Sequence, residues 1–166
     1  SIPELDKLNI ANDGVYFMFD GIEDPYNFAY SVRSMYAAGA DGMILSPRNW
    51  LSAAGVCIRG SAGTTEMLDC AVYETREQLI STAKSFGYRI VCADENTDTL
   101  HTDPVLQKPI LLIIGGEKRG ISKELLDASD KLVKINYARE FKMSLTASAA
   151  ASILAFQVAH QNIKKG

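Results

Sequence analysis

Short runs of branched and aromatic residues alternate along the chain with longer stretches of helical periodicity. Gly14–Phe19 reads as a buried strand. Asp24 and Pro25 then form a helix start, with aspartate as the cap and proline at the first helical position. That helix runs to about Ala38, with Phe28, Val32 and Met35 at i, i+4 and i+7 as its core stripe. Gly42–Leu45 is a second strand, Ala71–Tyr73 a third and Tyr88–Ala93 a fourth; Ile110–Ile114 is the central strand and Lys131–Ile135 a further one. Thr75-Arg76-Glu77-Gln78 is a capping-box signature. It opens a helix with Leu79, Ile80, Ala83 and Phe86 inward and Gly87 as its stop. Ser122 caps a short helix that ends at Ala128. From Ser144 a last helix runs to the chain end, with Leu145, Ala149, Ile153, Phe156, His160 and Ile163 at helical spacing. Ser1–Asn12 reads as a loose lead-in, and Ser46–Gly63, Asp94–Pro109 and Asn136–Lys142 as irregular or polar connections. Alternation of this kind predicts an α/β fold with a mainly parallel sheet flanked by helices.

Composition narrows the classes without choosing one. A chain of 166 residues with 47% hydrophobic and 22% charged residues fits one globular domain with a single core. No window holds the roughly 18 consecutive apolar residues of a membrane span. Ser1–Gly14 has no apolar core and does not read as a signal peptide. The three cysteines, Cys57, Cys70 and Cys92, lack C-x-x-C spacing. They point to reduced thiols in a cytoplasmic protein, and with only two histidines no metal centre is expected. The net charge of −3 lacks the basic surplus common in nucleic-acid binders. A nucleic-acid partner would need a local patch, for which Arg48, Arg59, Lys118, Arg119, Arg139 and Lys142 are the candidates.

The chemistry concentrates in the turn after the central strand. In LLIIGGEKRGIS, Leu111–Ser122, branched residues run into two glycines, a glutamate, two cations and a third glycine. Turns at the carboxyl ends of parallel strands are where α/β proteins bind ligands. This one is neither the phosphate loop nor the dinucleotide fingerprint, and no G-x-S-x-G elbow supports a serine hydrolase. Two other segments combine polar side chains with a helix start: DPYNFAYSVR, Asp24–Arg33, and SLTASAAAS, Ser144–Ser152, which follows Ile135.

In this order and spacing, the three segments resemble the signature motifs of the SpoU-type (TrmH-like) RNA 2′-O-ribose methyltransferases of the SPOUT superfamily. The resemblance covers roughly Gly14 to Gln161. GGEKRGIS matches the second motif completely; Ala29 stands where the first motif has glycine, and Thr146 where the third has asparagine. The resemblance implies a deep C-terminal trefoil knot that forms a pocket for S-adenosyl-L-methionine, and a homodimer with active-site residues near the subunit interface. It implies cofactor contacts from Gly115, Gly116, Ile135 and Leu145. Arg33 would be the central catalytic residue, clamping a phosphate and stabilising charge on the ribose 2′-oxygen, because a guanidinium is too weakly acidic to serve as a base. Asn27 and Ser144 would orient Arg33 and the ribose, Glu117 would hold a cation or the turn itself, and Thr146 takes the asparagine position. The substrate would be ribosomal or transfer RNA. We expect the chain to be the catalytic domain of a longer protein. Ala29 and Thr146 also leave open a SPOUT domain that binds RNA or protein without catalysis, and strand–helix alternation alone permits a flavodoxin-like nucleotide-binding module.

Overall fold

The two most apolar runs of the sequence lie side by side at the centre of the sheet. In the computed structural model, which describes residues 4–7, 9–21, 25–46, 68–116 and 119–163 (residues 7 and 25–29 as backbone only), strand β1, Val15–Asp20, pairs in parallel with β5, Ile110–Gly115. Their register sets Val15 beside Ile110 and Asp20 beside Gly115. Four shorter strands complete it: β2 (Gly42–Leu45), β3 (Asp69–Val72), β4 (Arg89–Ala93) and β6 (Lys131–Val133). The order is β3-β2-β1-β5-β4-β6, and every described pairing is parallel. The chain builds outward from β1 in one direction and resumes on the other side, so the switch point lies between β1 and β5. This order differs from the flavodoxin-like one.

Strand alternation divides the core into two layers. Val15, Phe17 and Phe19 of β1 join Ile110, Leu112 and Ile114 of β5 on one face. There they meet Val32 and Met35 of helix α1 (Pro25–Ala37) and Ala147, Ala151, Leu154 and Val158 of helix α4 (Ala147–Gln161). Tyr16 and Met18 join Leu111 and Ile113 on the other face, against Leu79 and Ala83 of α2 (Arg76–Ser85) and Leu125 of α3 (Lys123–Ala128). Strands covered on both faces need apolar residues at every position, which is why these runs are unbroken. Each such side chain contributes roughly 1.5–3 kcal/mol of burial.

Several details depart from the sequence reading. Helix α4 begins at Ala147, three residues later than Ser144, and Thr146 is its N-cap, its Oγ1 accepting from Ala149 N at 3.2 Å. Its buried face is Ala147, Ala151, Leu154, Ala155 and Val158. The predicted stripe lies on the other side, with Ile153, Phe156, His160 and Ile163 all exposed. The helix is apolar nearly all round, so spacing alone could not choose its inner face. Phe86 caps α2 and is exposed rather than inward. Ser122 caps α3 by its backbone geometry, with no side-chain capping bond. The lead-in is tied down: Leu5 is buried, and Tyr88 Oη donates to Ala11 O and accepts Gly14 N–H at 3.0 Å. Burial pushes the Tyr88 phenol up to about 12, so it stays a donor.

The carboxyl end of α4 is fastened to the polar loop between β4 and β5. Gln161 accepts from Leu106 N at 3.0 Å and donates to His101 O at 3.0 Å. Asn162 accepts from Lys108 N at 3.0 Å and donates to Leu106 O at 2.9 Å. Two side-chain amides thus satisfy loop backbone groups that no strand pairs. This holds α4 across the sheet and fixes where its amino end, with Leu145 and Thr146, meets the strand ends.

Candidate active site

At the carboxyl ends of β4, β5 and β6 the structure has a cleft of about 580 Å³. Its walls are apolar: Ala93, Ile114, Ile121, Val133, Ile135, Leu145, Ala147 and Ala150. Its polar groups are Asp94, Glu95, Asn96, Lys134, Asn136 and Ser144, and the backbone of Gly115, Gly116 and Gly120 forms one side. A mostly apolar cleft of this size with a few convergent polar groups has the dimensions of a small-ligand site, for which roughly 300–1,000 Å³ is usual.

Of the residues singled out from the sequence, the cleft brings together Gly115, Gly116, Ile135, Ser144 and Leu145. Thr146 is adjacent but turned to its capping task, with its Oγ1 also 3.3 Å from Ser148 Oγ. Arg33 does not line the cleft. It is exposed on α1, between the exposed Tyr30 and Tyr36 at i−3 and i+3. The α1 and α4 helices are joined by a Ser152 Oγ–Ser34 Oγ hydrogen bond of 2.8 Å. Glu117 and Lys118, the side chain of Asn27, and Arg48, Cys57 and Arg59 lie outside the described residues.

The glycines of the turn are required by the chain's own backbone. A Cβ on Gly116 would stand 2.5 Å from Gly21 O, and one on Gly115 2.9 Å from Ile121 N. The turns that follow β1 and β5 therefore press against each other at the switch point. Gly21 itself holds φ +79°, a conformation open to glycine.

The residue that the sequence did not advertise is Asp20. It ends a run of five apolar residues, where its charge reads only as the start of a turn. In the fold it is 3% exposed. Its Oδ2 accepts Ser122 N–H at 2.7 Å, its Oδ1 lies 3.3 Å from Arg76 Nη2, and its carbonyl accepts Gly116 N–H at 3.0 Å. Also unforeseen is an aromatic pair at the cleft, Tyr137 and Phe141, with ring centroids 5.4 Å apart. His101 supports the same loop, its Nδ1 accepting Asn136 N–H at 3.4 Å.

Other chemistries find little footing. Burial pushes the Cys92 thiol up to about 12 and that of Cys70 to about 11, so neither is a ready nucleophile. Among the described residues no group of three or more His, Cys, Asp and Glu converges as metal ligands. No described helix is long and apolar enough to cross a membrane.

The profile of the SpoU rRNA Methylase family matches residues 14–156. An uncharacterized tRNA/rRNA methyltransferase of Mycobacterium ulcerans is 30% identical over 142 residues, which cover 86% of this chain and 46% of that protein. The chain spans about half the length of the curated relatives it matches. Among solved structures, an AdoMet-bound rRNA methyltransferase from Sinorhizobium meliloti matches with a TM-score of 0.86 at 24% identity, covering 99% of this chain and 62% of that one. The SpoU methyltransferase AviRb from Streptomyces viridochromogenes, in complex with AdoMet, matches with a TM-score of 0.83 at 24% identity, over 97% and 65% of the two chains. At that identity the structural likeness speaks for the fold.

Proposed function

The chain belongs to the SpoU rRNA Methylase family, and we propose that it is an S-adenosyl-L-methionine-dependent methyltransferase acting on a ribose 2′-hydroxyl of ribosomal or transfer RNA. The observation that carries this reading is the cleft: three separate segments, 93–96, 114–121 and 133–150, converge to supply its glycine side, its apolar wall and its serine. The residues present suit the proposed cofactor. Ile135 and Leu145 offer apolar cover for a nucleoside, and the backbone of Gly115 and Gly116 is accessible beside them. A deep C-terminal trefoil knot is the path this reading assigns to the chain.

When bound, S-adenosylmethionine supplies a methyl group already activated on a sulfonium. The protein's share is then positioning and electrostatics. Ser144, at the cleft beside the start of α4, would orient the ribose. Arg33 would clamp a neighbouring phosphate and oppose the charge that grows on the 2′-oxygen as it loses its proton. Its planar, permanently charged fork suits both tasks. Calorimetric titration with S-adenosylhomocysteine tests the reading directly. We expect saturable one-to-one binding to the wild-type chain; no heat under conditions where the protein is folded would sink it.

Arg33 lies outside its own cleft, which fits a homodimer in which each subunit lends its arginine to the other. The exposed apolar residues Tyr30 and Tyr36 of α1 and Ile153 and Phe156 of α4 are the proposed contact. Phe156→Glu is expected to shift the sedimenting species from dimer to monomer with the fold retained. A wild-type protein that sediments as a monomer at tens of micromolar, by order of magnitude, would remove this assembly. Thr146 caps α4, and the family match favours the catalytic reading over the non-catalytic alternative.

A further inference from the structure

We infer that Asp20 is the positioning residue of the cleft, fixing both ends of the Gly115–Ser122 turn, with Arg76 as its counter-cation. The inference rests on reading the cleft as the S-adenosylmethionine site. A carboxylate that is 3% exposed at the end of a hydrophobic strand is costly unless it is paired and hydrogen-bonded. Asp20 is both. Its side chain accepts Ser122 N–H at 2.7 Å, where the turn hands over to α3. Its main-chain carbonyl accepts Gly116 N–H at 3.0 Å, where the turn leaves β5. One residue thus closes the turn at its first and last steps, although 102 positions separate it from Ser122.

Arg76 completes the arrangement from a third element. Its Nη2 sits 3.3 Å from Asp20 Oδ1, and its side chain is 42% exposed against 4% for the aspartate. The guanidinium keeps one carboxylate oxygen engaged and leaves the other aimed at Ser122. Asparagine would preserve the shape of Asp20 and one acceptor. It would remove the charge that holds Arg76 and strengthens the bond to Ser122 N–H. The backbone that Asp20 fixes is the backbone that lines the cleft at Gly115, Gly116, Gly120 and Ile121. A displacement of a fraction of an ångström there changes the site itself rather than a distant support.

The test compares wild type, Asp20→Asn and Arg76→Gln by calorimetry with S-adenosylhomocysteine, alongside thermal melts of each and amide hydrogen exchange at Gly116 and Ser122. Asp20→Asn is expected to weaken binding about tenfold, or about 1.4 kcal/mol. Exchange at Ser122 should quicken at a temperature where the protein remains folded. Arg76→Gln, on an exposed side chain, is expected to weaken binding about threefold, and it carries the measurement should Asp20→Asn fail to fold. In turnover, the same variants should raise KM for the methyl donor while kcat holds. Lower melting temperatures with wild-type affinity in both variants would make Asp20 a purely structural residue and overturn the inference. Failure of the wild-type chain itself to bind would instead remove the cofactor reading, and the inference with it.

Discussion

Replacing Arg33 with alanine should lower methyl transfer to RNA by roughly 10²–10³-fold, the usual loss when a preorganised donor to developing negative charge is removed. Affinity for S-adenosylhomocysteine should stay unchanged, because Arg33 does not line the cleft. The contrast between the two readouts is what makes the variant informative. Arg33→Lys should recover little, since an ammonium supplies a point charge and not a two-pronged planar fork. Near-full turnover in the lysine variant would refute the clamp. The exposed position of Arg33 between Tyr30 and Tyr36 also permits a test of where it acts. Mixed dimers of Arg33→Ala with a cleft-impaired variant contain one intact cleft facing one intact arginine. Activity should return on mixing if Arg33 serves the partner's cleft. If exchange of subunits is demonstrated and activity does not return, the arginine works within its own chain and the dimer proposal loses its main purpose.

The fold was legible wherever periodicity and burial agree. Strands covered on both faces must be apolar throughout, so β1, β4 and β5 stand out in the sequence within a residue or so of their bounds. Thr75 and Gly87 mark helix ends by local chemistry that needs no tertiary context, and Gly87 holds positive φ as a C-terminal glycine should. Helix α4 was harder because both of its faces are apolar. One packs on the sheet and the other carries Ile153 and Phe156 to the surface, so a rule that looks for a single stripe can select the wrong side. The site shows the same division. Gly115, Gly116, Ile135, Ser144 and Leu145 were legible as motif residues and meet in one cleft. Asp20 was not, because its importance arises from a contact across the switch point of the sheet, which no local pattern encodes.

Gly116→Ala should be the most damaging single-methyl change at the cleft, with affinity for S-adenosylhomocysteine reduced on the order of 10–100-fold. The reason is steric and specific. The new Cβ would lie 2.5 Å from Gly21 O and 3.0 Å from Gly21 C, both backbone atoms. Neither can swing aside as a side-chain tip would. Gly21 follows Asp20, whose carbonyl already binds Gly116 N–H. Relief therefore requires the turns after β1 and β5 to part, which strains the pairing of Asp20 with Gly115 at the end of the sheet. Overpacking of this kind costs about 1–3 kcal/mol, or a melting point lower by ~2–12 °C in a domain of this size. Gly120→Ala is the matched control. It adds the same methyl to the same turn, yet nothing among the described residues lies within 4 Å of its Cβ and its φ is not left-handed. It should keep both stability and affinity near wild type. Equal affinity in the Gly116 and Gly120 variants would mean that the turn adapts freely, and the cleft would then owe its shape to the loop before α4 and not to the contact between β1 and β5.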